Sequence, residues 1–109
     1  MTAAPPRVFV IQAHGKYDLS DIRRYGEVIP LFTRDIYPDC ASERMAEAVA
    51  RAKDLLEGFR WDVDFICLTG CTAYMAMVGM VLTQLGIKRV TFLRFDRKEK
   101  SYYPVPVIL

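Results

Sequence analysis

A long uncharged segment constrains this sequence more than any other feature. No charged residue occurs from Phe65 to Ile87, and a segment of that length is able to span a bilayer as a helix. The motif Thr69-Gly70-Cys71-Thr72 divides it, however, into a short β-rich run and a longer helical run. The flanking runs also have the composition of strands, which would find no partner in lipid. We therefore predict a buried strand, a turn and a buried helix rather than a membrane span.

Further apolar runs predict four more strands. Val8-Phe9-Val10-Ile11 is continuously apolar, as in a strand that is buried on both faces. Prolines at Pro30, Pro104 and Pro106 place the second and fifth strands at edges, because proline has no N–H to donate to a neighbouring strand. The predicted strands span residues 7–13, 27–32, 62–69, 89–95 and 102–109.

Two helices connect the later strands. The first is predicted to begin at an N-cap, Ser42, to carry one apolar stripe, and to end at Gly58. The second, over residues 72–85, has no charge on any face. A helix that is apolar all round is buried all round, either by its own domain or by a second copy of the chain.

The alternation of strands and helices indicates parallel pairing with right-handed crossovers. We predict the order 2-1-3-4-5, with the last two strands forming an antiparallel hairpin. The expected fold is a single α/β domain over residues 1–109. It is small and Rossmann-like, with two or three layers and a mainly parallel five-stranded sheet. A chain of 109 residues is long enough to bury its own core.

Composition excludes several classes of protein. The net charge of +2 is too small to predict nucleic acid or an acidic membrane as the partner. The cysteines, Cys40, Cys67 and Cys71, do not form a disulfide framework, which favours a reducing cytosol. With a single histidine, His14, we expect no metal site and no cofactor.

One candidate site lies where the predicted order reverses, between strands one and three. The carboxyl ends of these strands line the crevice where open α/β sheets usually bind ligands. The turn after strand three also leads into a helix N-terminus, whose free N–H groups favour an anion. A phosphorylated small molecule is the ligand that this geometry suits. The candidate ligand-binding residues are His14, Gly15, Lys16, Thr69, Gly70, Cys71 and Thr72.

The same residues suggest a catalytic alternative that remains incomplete. Cys71 at a helix N-terminus and His14 resemble a nucleophile and its base. No third group that would orient the histidine is evident, so we predict no catalytic residue. The basic and aromatic hairpin around Arg94 to Tyr103 contains Asp96 and Glu99, which makes nucleic acid the less favoured partner.

A second candidate site is the uncharged helix itself. Five short strands offer limited area to cover it, and self-association would hide the rest. Methionine-rich helices form adaptable interfaces. The predicted interface residues are Tyr74, Met75, Met77 and Met80.

Several short motifs carry a resemblance to a known group. They are Tyr25-Gly26-Glu27-Val28, the run from Asp64 to Gly70, and Leu93-Arg94-Phe95-Asp96-Arg97 followed by Tyr103-Pro104-Val105. On these motifs the chain resembles small uncharacterised proteins encoded by tailed bacteriophages. In that group the turn after strand three usually reads Gly-Asp-Pro, whereas here it reads Gly70-Cys71-Thr72. The resemblance implies a Rossmann-like fold and a phage origin, and it implies no reaction.

These observations support two hypotheses about function. The first is a non-enzymatic phage accessory protein in the host cytosol, which binds a host macromolecule or a copy of itself. The second is a protein that binds or cleaves a nucleotide or cyclic nucleotide in the crevice between strands one and three.

Overall fold

A computed structural model describes residues 5–13, 19–32 and 42–109 of the chain. Within these ranges one 3-10 turn, Asp21–Arg24, follows the first strand. The strands are β1 (Arg7–Gln12), β2 (Glu27–Phe32), β3 (Phe65–Cys67), β4 (Arg89–Asp96) and β5 (Ser101–Ile108). The α-helices are α1 (Ser42–Leu56) and α2 (Thr72–Gln84).

The sheet has the order β2-β1-β3-β4-β5, as predicted from the sequence. β1 pairs in parallel with both β2 and β3, β3 pairs in parallel with β4, and β4 and β5 are antiparallel. The α/β class and the C-terminal antiparallel pair are therefore confirmed. The direction of winding reverses between β1 and β3, since β2 lies on one side of β1 and all later strands on the other.

The two faces of the sheet are covered differently. The connection from β1 to β2 moves in one direction along the sheet, and the crossovers through α1 and α2 both move in the other. Right-handed crossovers that move in opposite directions lie on opposite faces of a sheet. Accordingly, α1 and α2 pack on the face that carries Phe9 and Ile66, which we call the helical face. On the opposite face, Ile22 of the 3-10 turn packs against Val8 and Leu93. Among the described residues, this turn is the helical element on that face.

Strand β3 is shorter than the sequence predicts, and α1 ends earlier. Residues 62–64 precede β3 in a turn, in which the N–H of Asp64 donates to the carbonyl of Arg60 at 2.8 Å. Gly58 follows α1 with a φ of +82°, which is the left-handed conformation expected just beyond a helix. No helix in the described part of the chain is long and apolar enough to cross a membrane.

A buried carboxylate joins the amino-terminal ends of β1 and β3. Asp64 is almost completely buried, and its two oxygens accept the backbone N–H groups of Arg7 (3.0 Å) and Arg60 (2.9 Å). They also form ion pairs at 2.8 Å with both guanidinium groups. We call this cluster of Arg7, Arg60 and Asp64 the Asp64 latch. Burial alone would raise the pKa of Asp64, but the hydrogen bonds from Arg60 and Arg7 outweigh it and lower the pKa to about 2.

The Asp64 latch makes the free energy of unfolding decrease as the pH is lowered. A carboxyl whose pKa falls from 3.8 to about 2 on folding contributes stability that is complete above about pH 5 and is lost as pH falls towards 2. The shift corresponds to about 2 kcal/mol. Asp64→Asn should cost about 3 kcal/mol of unfolding free energy at pH 7, because two guanidinium groups lose their anion. Urea unfolding of both proteins at several pH values measures this, and the difference should narrow between about pH 5 and pH 2.

Asp62→Asn is the matched control, because Asp62 lies in the same turn and is exposed. Its cost should stay within about 0.5 kcal/mol at every pH. An equal loss of unfolding free energy in the two variants would contradict a stabilising role of the Asp64 latch. A difference between wild type and Asp64→Asn that does not shrink in acid would contradict it as well.

Candidate functional site

The crevice predicted from the sequence begins where β1 and β3 end side by side. β1 and β3 are direct neighbours, with Val10 opposite Cys67. Beyond the last pair, the hydroxyl of Thr69 donates to the carbonyl of Gln12 at 2.8 Å and accepts the N–H of Gln12 at 3.2 Å. Both side chains are buried. Thr69 therefore extends the pairing of the two strands by side-chain hydrogen bonds, and its hydroxyl is engaged within the protein.

The turn into α2 is shaped around the side chain of Gln12. Gly70 has a φ of +83°, and a Cβ placed on it would overlap the Cβ and the amide oxygen of Gln12. The same amide oxygen accepts the N–H of Cys71 at 2.8 Å. Cys71 occupies the N-cap position of α2 in an extended conformation. The protein's own amide thus takes the N–H group at which the sequence predicts an anion.

The other predicted crevice residues divide into two groups. Thr72 is exposed in the first turn of α2, and Cys71 is half-buried. His14, Gly15 and Lys16 lie outside the described residues. The crevice as described consists of the ends of β1 and β3, with Gln12 between them, and the first residues of α2. Sequence reasoning did not single out Gln12, although a glycine directly after a strand signals close approach of a neighbouring group.

Burial determines the reactivity of the thiol of Cys67, which lies near the carboxyl end of β3. Cys67 is fully buried in the opposite-face core. Burial raises the pKa of Cys67 to about 12, although a hydrogen bond with Tyr102 acts in the other direction. Because the thiolate is the reactive form, this thiol is inert at neutral pH.

The packing of Gln12 against Gly70 can be tested by comparing alanine substitutions at two glycines. Gly70 and Gly86 both have positive φ values, of +83° and +75°, but a Cβ on Gly86 would meet no heavy atom of the described residues within 4 Å. Gly86→Ala should therefore cost only about 1 kcal/mol, for the left-handed backbone. Gly70→Ala should cost about 3 kcal/mol, because the methyl group must also displace Gln12. Urea unfolding measures both values, and equal costs would show that Gln12 does not pack on Gly70 in solution.

The four predicted interface residues of α2 have different surroundings. Tyr74 is only 4% exposed and stacks on Phe32 with ring centroids 4.1 Å apart. It belongs to the core of one copy, and its role in an interface stays a prediction. Met75 and Met77 are half-buried against the same core. Met80 is 69% exposed and projects from the outer side of the helix.

Helix α2 is also less covered than its composition predicts. Its buried side is formed by Tyr74, Val78, Val81 and Leu82. The outer side is an uncharged, exposed stripe, which we call the outer stripe; it consists of Thr72, Ala73, Ala76, Gly79, Met80 and Thr83. A helix that is apolar all round is expected to be buried all round, and a single copy covers only one side of this one.

The helical face remains open beyond α2, over β4 and β5. An apolar groove of about 180 Å³ runs between α2 and the two strands. Its lining residues are Gly79, Leu82, Thr83, Ile87, Lys88, Val90, Phe92, Val107 and Leu109. Leu109 is 80% exposed, and Val107 is also exposed. We refer to the outer stripe and this groove together as the open helical face.

An exposed tryptophan lies at the end of this surface, and sequence reasoning missed it. Trp61 is 52% exposed, and the guanidinium of Arg89 stacks over its ring at 4.7 Å from the centroid. A shallow cleft connects Trp61 and Arg89 with Val107 and Ile108. Tryptophan and arginine are enriched where binding energy is concentrated in interfaces, so the pair extends the apolar surface towards the amino-terminal end of β4.

The described architecture defines a small α/β protein with a mainly parallel sheet and an antiparallel edge strand. The family model described as "Phage Pam3 gp32-like protein" matches residues 6–109, and the chain belongs to this family. The resemblance to a small phage protein family is thereby confirmed. Among curated proteins and among solved structures, none matches the chain.

Proposed function

We propose that this chain is a phage accessory protein that acts by binding, without catalysis, and does so as a homo-oligomer in the host cytosol. The observation that carries the proposal is the outer stripe of α2, which is uncharged and exposed in a single copy. We further propose that the fold is Rossmann-like, since the order β2-β1-β3-β4 is parallel and reverses its winding between β1 and β3. Membership of the phage family supports the setting and does not itself define an activity.

The energetics of the exposed surface support self-association. Burying apolar surface contributes about 25 cal/mol per Å². Met80, Val107 and Leu109 are exposed on or beside one groove. Grouped apolar residues of this kind mark interaction sites more often than singly scattered ones do. A second copy of the chain would cover them, and a host protein is the competing occupant.

Two polar groups in the described part of the crevice are committed to holding its turn, which supports a role without catalysis. The hydroxyl of Thr69 and the amide oxygen of Gln12 are used to hold the turn, and the thiol of Cys67 is protonated at neutral pH. None of these three groups is placed as an activated nucleophile or base.

The assembly is tested by light scattering on the wild type and on Met80→Lys at protein concentrations from about 10 μM to 1 mM. We expect wild-type mass to rise with concentration, and Met80→Lys to weaken association at least tenfold, because a charge would enter an apolar contact. Lysine and methionine have similar helix propensities, so the variant should fold.

Ala50→Lys is the control, since Ala50 is an exposed apolar residue on α1. It should associate like the wild type, and circular dichroism should show native helix content in both variants. A wild type that is strictly monomeric at the highest concentration would refute self-association.

The second candidate function is binding or cleavage of a nucleotide or cyclic nucleotide in the crevice. It is favoured by the meeting of two strand ends with the N-terminus of α2 at Gly70. A phosphate on the N–H groups of Cys71 and Thr72 would have to displace the amide oxygen of Gln12 from Cys71. His14 and Lys16 are the residues that we propose to reach such a ligand from β1.

A thermal-shift screen with nucleotides and cyclic dinucleotides separates the two functions. Any ligand that binds the folded state raises its melting temperature. We expect no shift if the protein acts through the open helical face alone. A rise that is lost in Lys16→Ala would instead support the crevice, and the first proposal would then no longer describe the whole function.

A further inference from the structure

The turn between α1 and β3 holds Trp61 in a braced and exposed position. The N–H groups of Val63 and Asp64 donate to the carbonyl of Arg60 at 3.2 and 2.8 Å, and the N–H of Arg60 donates to the buried carboxylate of Asp64 at 2.9 Å. Trp61 lies inside this hydrogen-bonded turn and is 52% exposed. A large aromatic side chain on a braced turn has little backbone entropy left to lose on contact with a ligand.

The guanidinium of Arg89 is positioned by the ring of Trp61. It stands over that ring, 4.7 Å from the centroid. Within the described part of the chain, the side chain of Arg89 has no hydrogen-bond acceptor and no carboxylate partner. A guanidinium held on an aromatic face keeps its fork of N–H donors preorganised, and this fork matches the oxygens of a phosphate or a carboxylate. Arg89 is therefore an anion-binding group whose place is already set.

A cleft beside this pair combines apolar walls with positive charge. Its volume is about 300 Å³, which lies at the lower end of the range for small-molecule sites. We call it the Trp61 cleft; its lining residues are Phe59, Trp61, Gly86, Ile87, Lys88 and Arg89. This lining contributes two aromatic rings, two cations and no carboxylate. A ligand with a flat apolar body and an anionic group suits such a cleft.

The neighbouring shallow cleft limits how much negative charge that ligand can carry. It has a volume of about 230 Å³ and shares Trp61 and Arg89 with the first, but its lining includes Asp62. The carboxylate of Asp62 would repel a second anionic group placed beyond Arg89. A nucleic acid strand needs a groove that stays positive along successive phosphates. One anionic group attached to one ring therefore fits better than a polyanion.

We propose that the Trp61 cleft binds a small molecule with one flat ring and one anionic group, in which the ring packs against Trp61 and the anionic group binds Arg89. A nucleoside monophosphate and an aromatic carboxylic acid both have this chemistry. The site goes beyond the proposed function, because it uses neither the outer stripe of α2 nor the crevice. The crevice begins beyond the pair Cys67 and Leu93, and Leu93 is about 13 Å along β4 from Arg89.

The single tryptophan makes binding at this site directly observable. Trp61 is the one tryptophan of the chain, so its fluorescence reports on the Trp61 cleft. Adenosine 5′-monophosphate and benzoate are titrated separately into about 1 μM protein, below the concentrations used to test self-association. We expect saturable quenching by at least one of them below about 1 mM. Removing the anionic group, as in adenosine or benzyl alcohol, should weaken binding about tenfold, because hydrogen bonds to a charged group are lost.

Arg89→Gln is the decisive variant, and Arg94→Gln is its matched control. Both residues are exposed arginines on β4, so the two substitutions remove the same charge from the same strand. Arg89→Gln should weaken binding about tenfold, whereas Arg94→Gln should stay within about twofold of the wild type. Circular dichroism should show native helix content in both variants, since exposed substitutions cost little stability.

The other outcomes overturn the site in different ways. Equal weakening by the two variants would show general attraction to positive charge, and equal binding of the neutral analogues would remove the anion from recognition. Tighter binding of a hexathymidylate than of the monophosphate would make nucleic acid the ligand. A rise in melting temperature without quenching would place the ligand in the crevice. Absence of both effects would overturn this inference alone, since self-association is measured independently by light scattering.

Discussion

The pairing of β1 with β3 is the constraint on which the rest of this structure depends. The two strands share only a short ladder, from Val8 opposite Phe65 to Val10 opposite Cys67. Side chains extend it at both ends: the Asp64 latch holds the amino-terminal end, and the Gln12–Thr69 hydrogen bonds hold the carboxyl end. A register shift of one residue would exchange the two faces of a strand and place each of its side chains in the wrong core. These buried polar contacts therefore specify the register that the short ladder alone would leave weakly determined.

That pairing also determines which surface remains open. Once β1 lies between β2 and β3, right-handed crossovers place both α1 and α2 on the same face. The two helices pack against each other and lie over β1 and β2. β5, the last strand, packs against β4 and against the 3-10 turn on the opposite face. The open helical face is thus a consequence of topology, and the apolar residues there are the ones that no element of the same chain is left to cover.

The sequence predicts the strand order well because apolar runs and prolines report on burial and edges directly. β2 was predicted with its exact bounds, and the edge position of β5 follows from Pro104 and Pro106. The side of α2 that faces solvent could not be predicted. A helix without charges has no polar face to mark its orientation, and so Tyr74 and Met80 look equivalent until the position of Phe32 is known.

The contacts of the Asp64 latch and the hydrogen bond between Gln12 and Cys71 could not be predicted either, for a different reason. Asp64 interrupts an apolar strand, and a buried carboxylate needs partners, but its partners Arg7 and Arg60 are two of many basic residues. The amide oxygen of Gln12 accepts the N–H of Cys71, and these two residues are 59 positions apart in the sequence. Local patterns report on periodicity and turn chemistry, whereas such contacts exist only once the topology has brought the strands together.

The way α2 is held affects how strongly its outer stripe can bind. At its start the N–H of the N-cap residue Cys71 donates to the amide oxygen of Gln12, and Tyr74 is stacked on Phe32. The chain leaves the helix through a turn in which the N–H of Ile87 donates to the carbonyl of Leu82 at 3.0 Å. A rigid helix presents its surface with little further loss of conformational entropy, and that loss is a major cost of association. The side chains of the outer stripe are short apart from Met80, so few rotamers are frozen on contact. A small face can therefore form a measurable complex, because the ordering that a flexible surface would need has already occurred on folding.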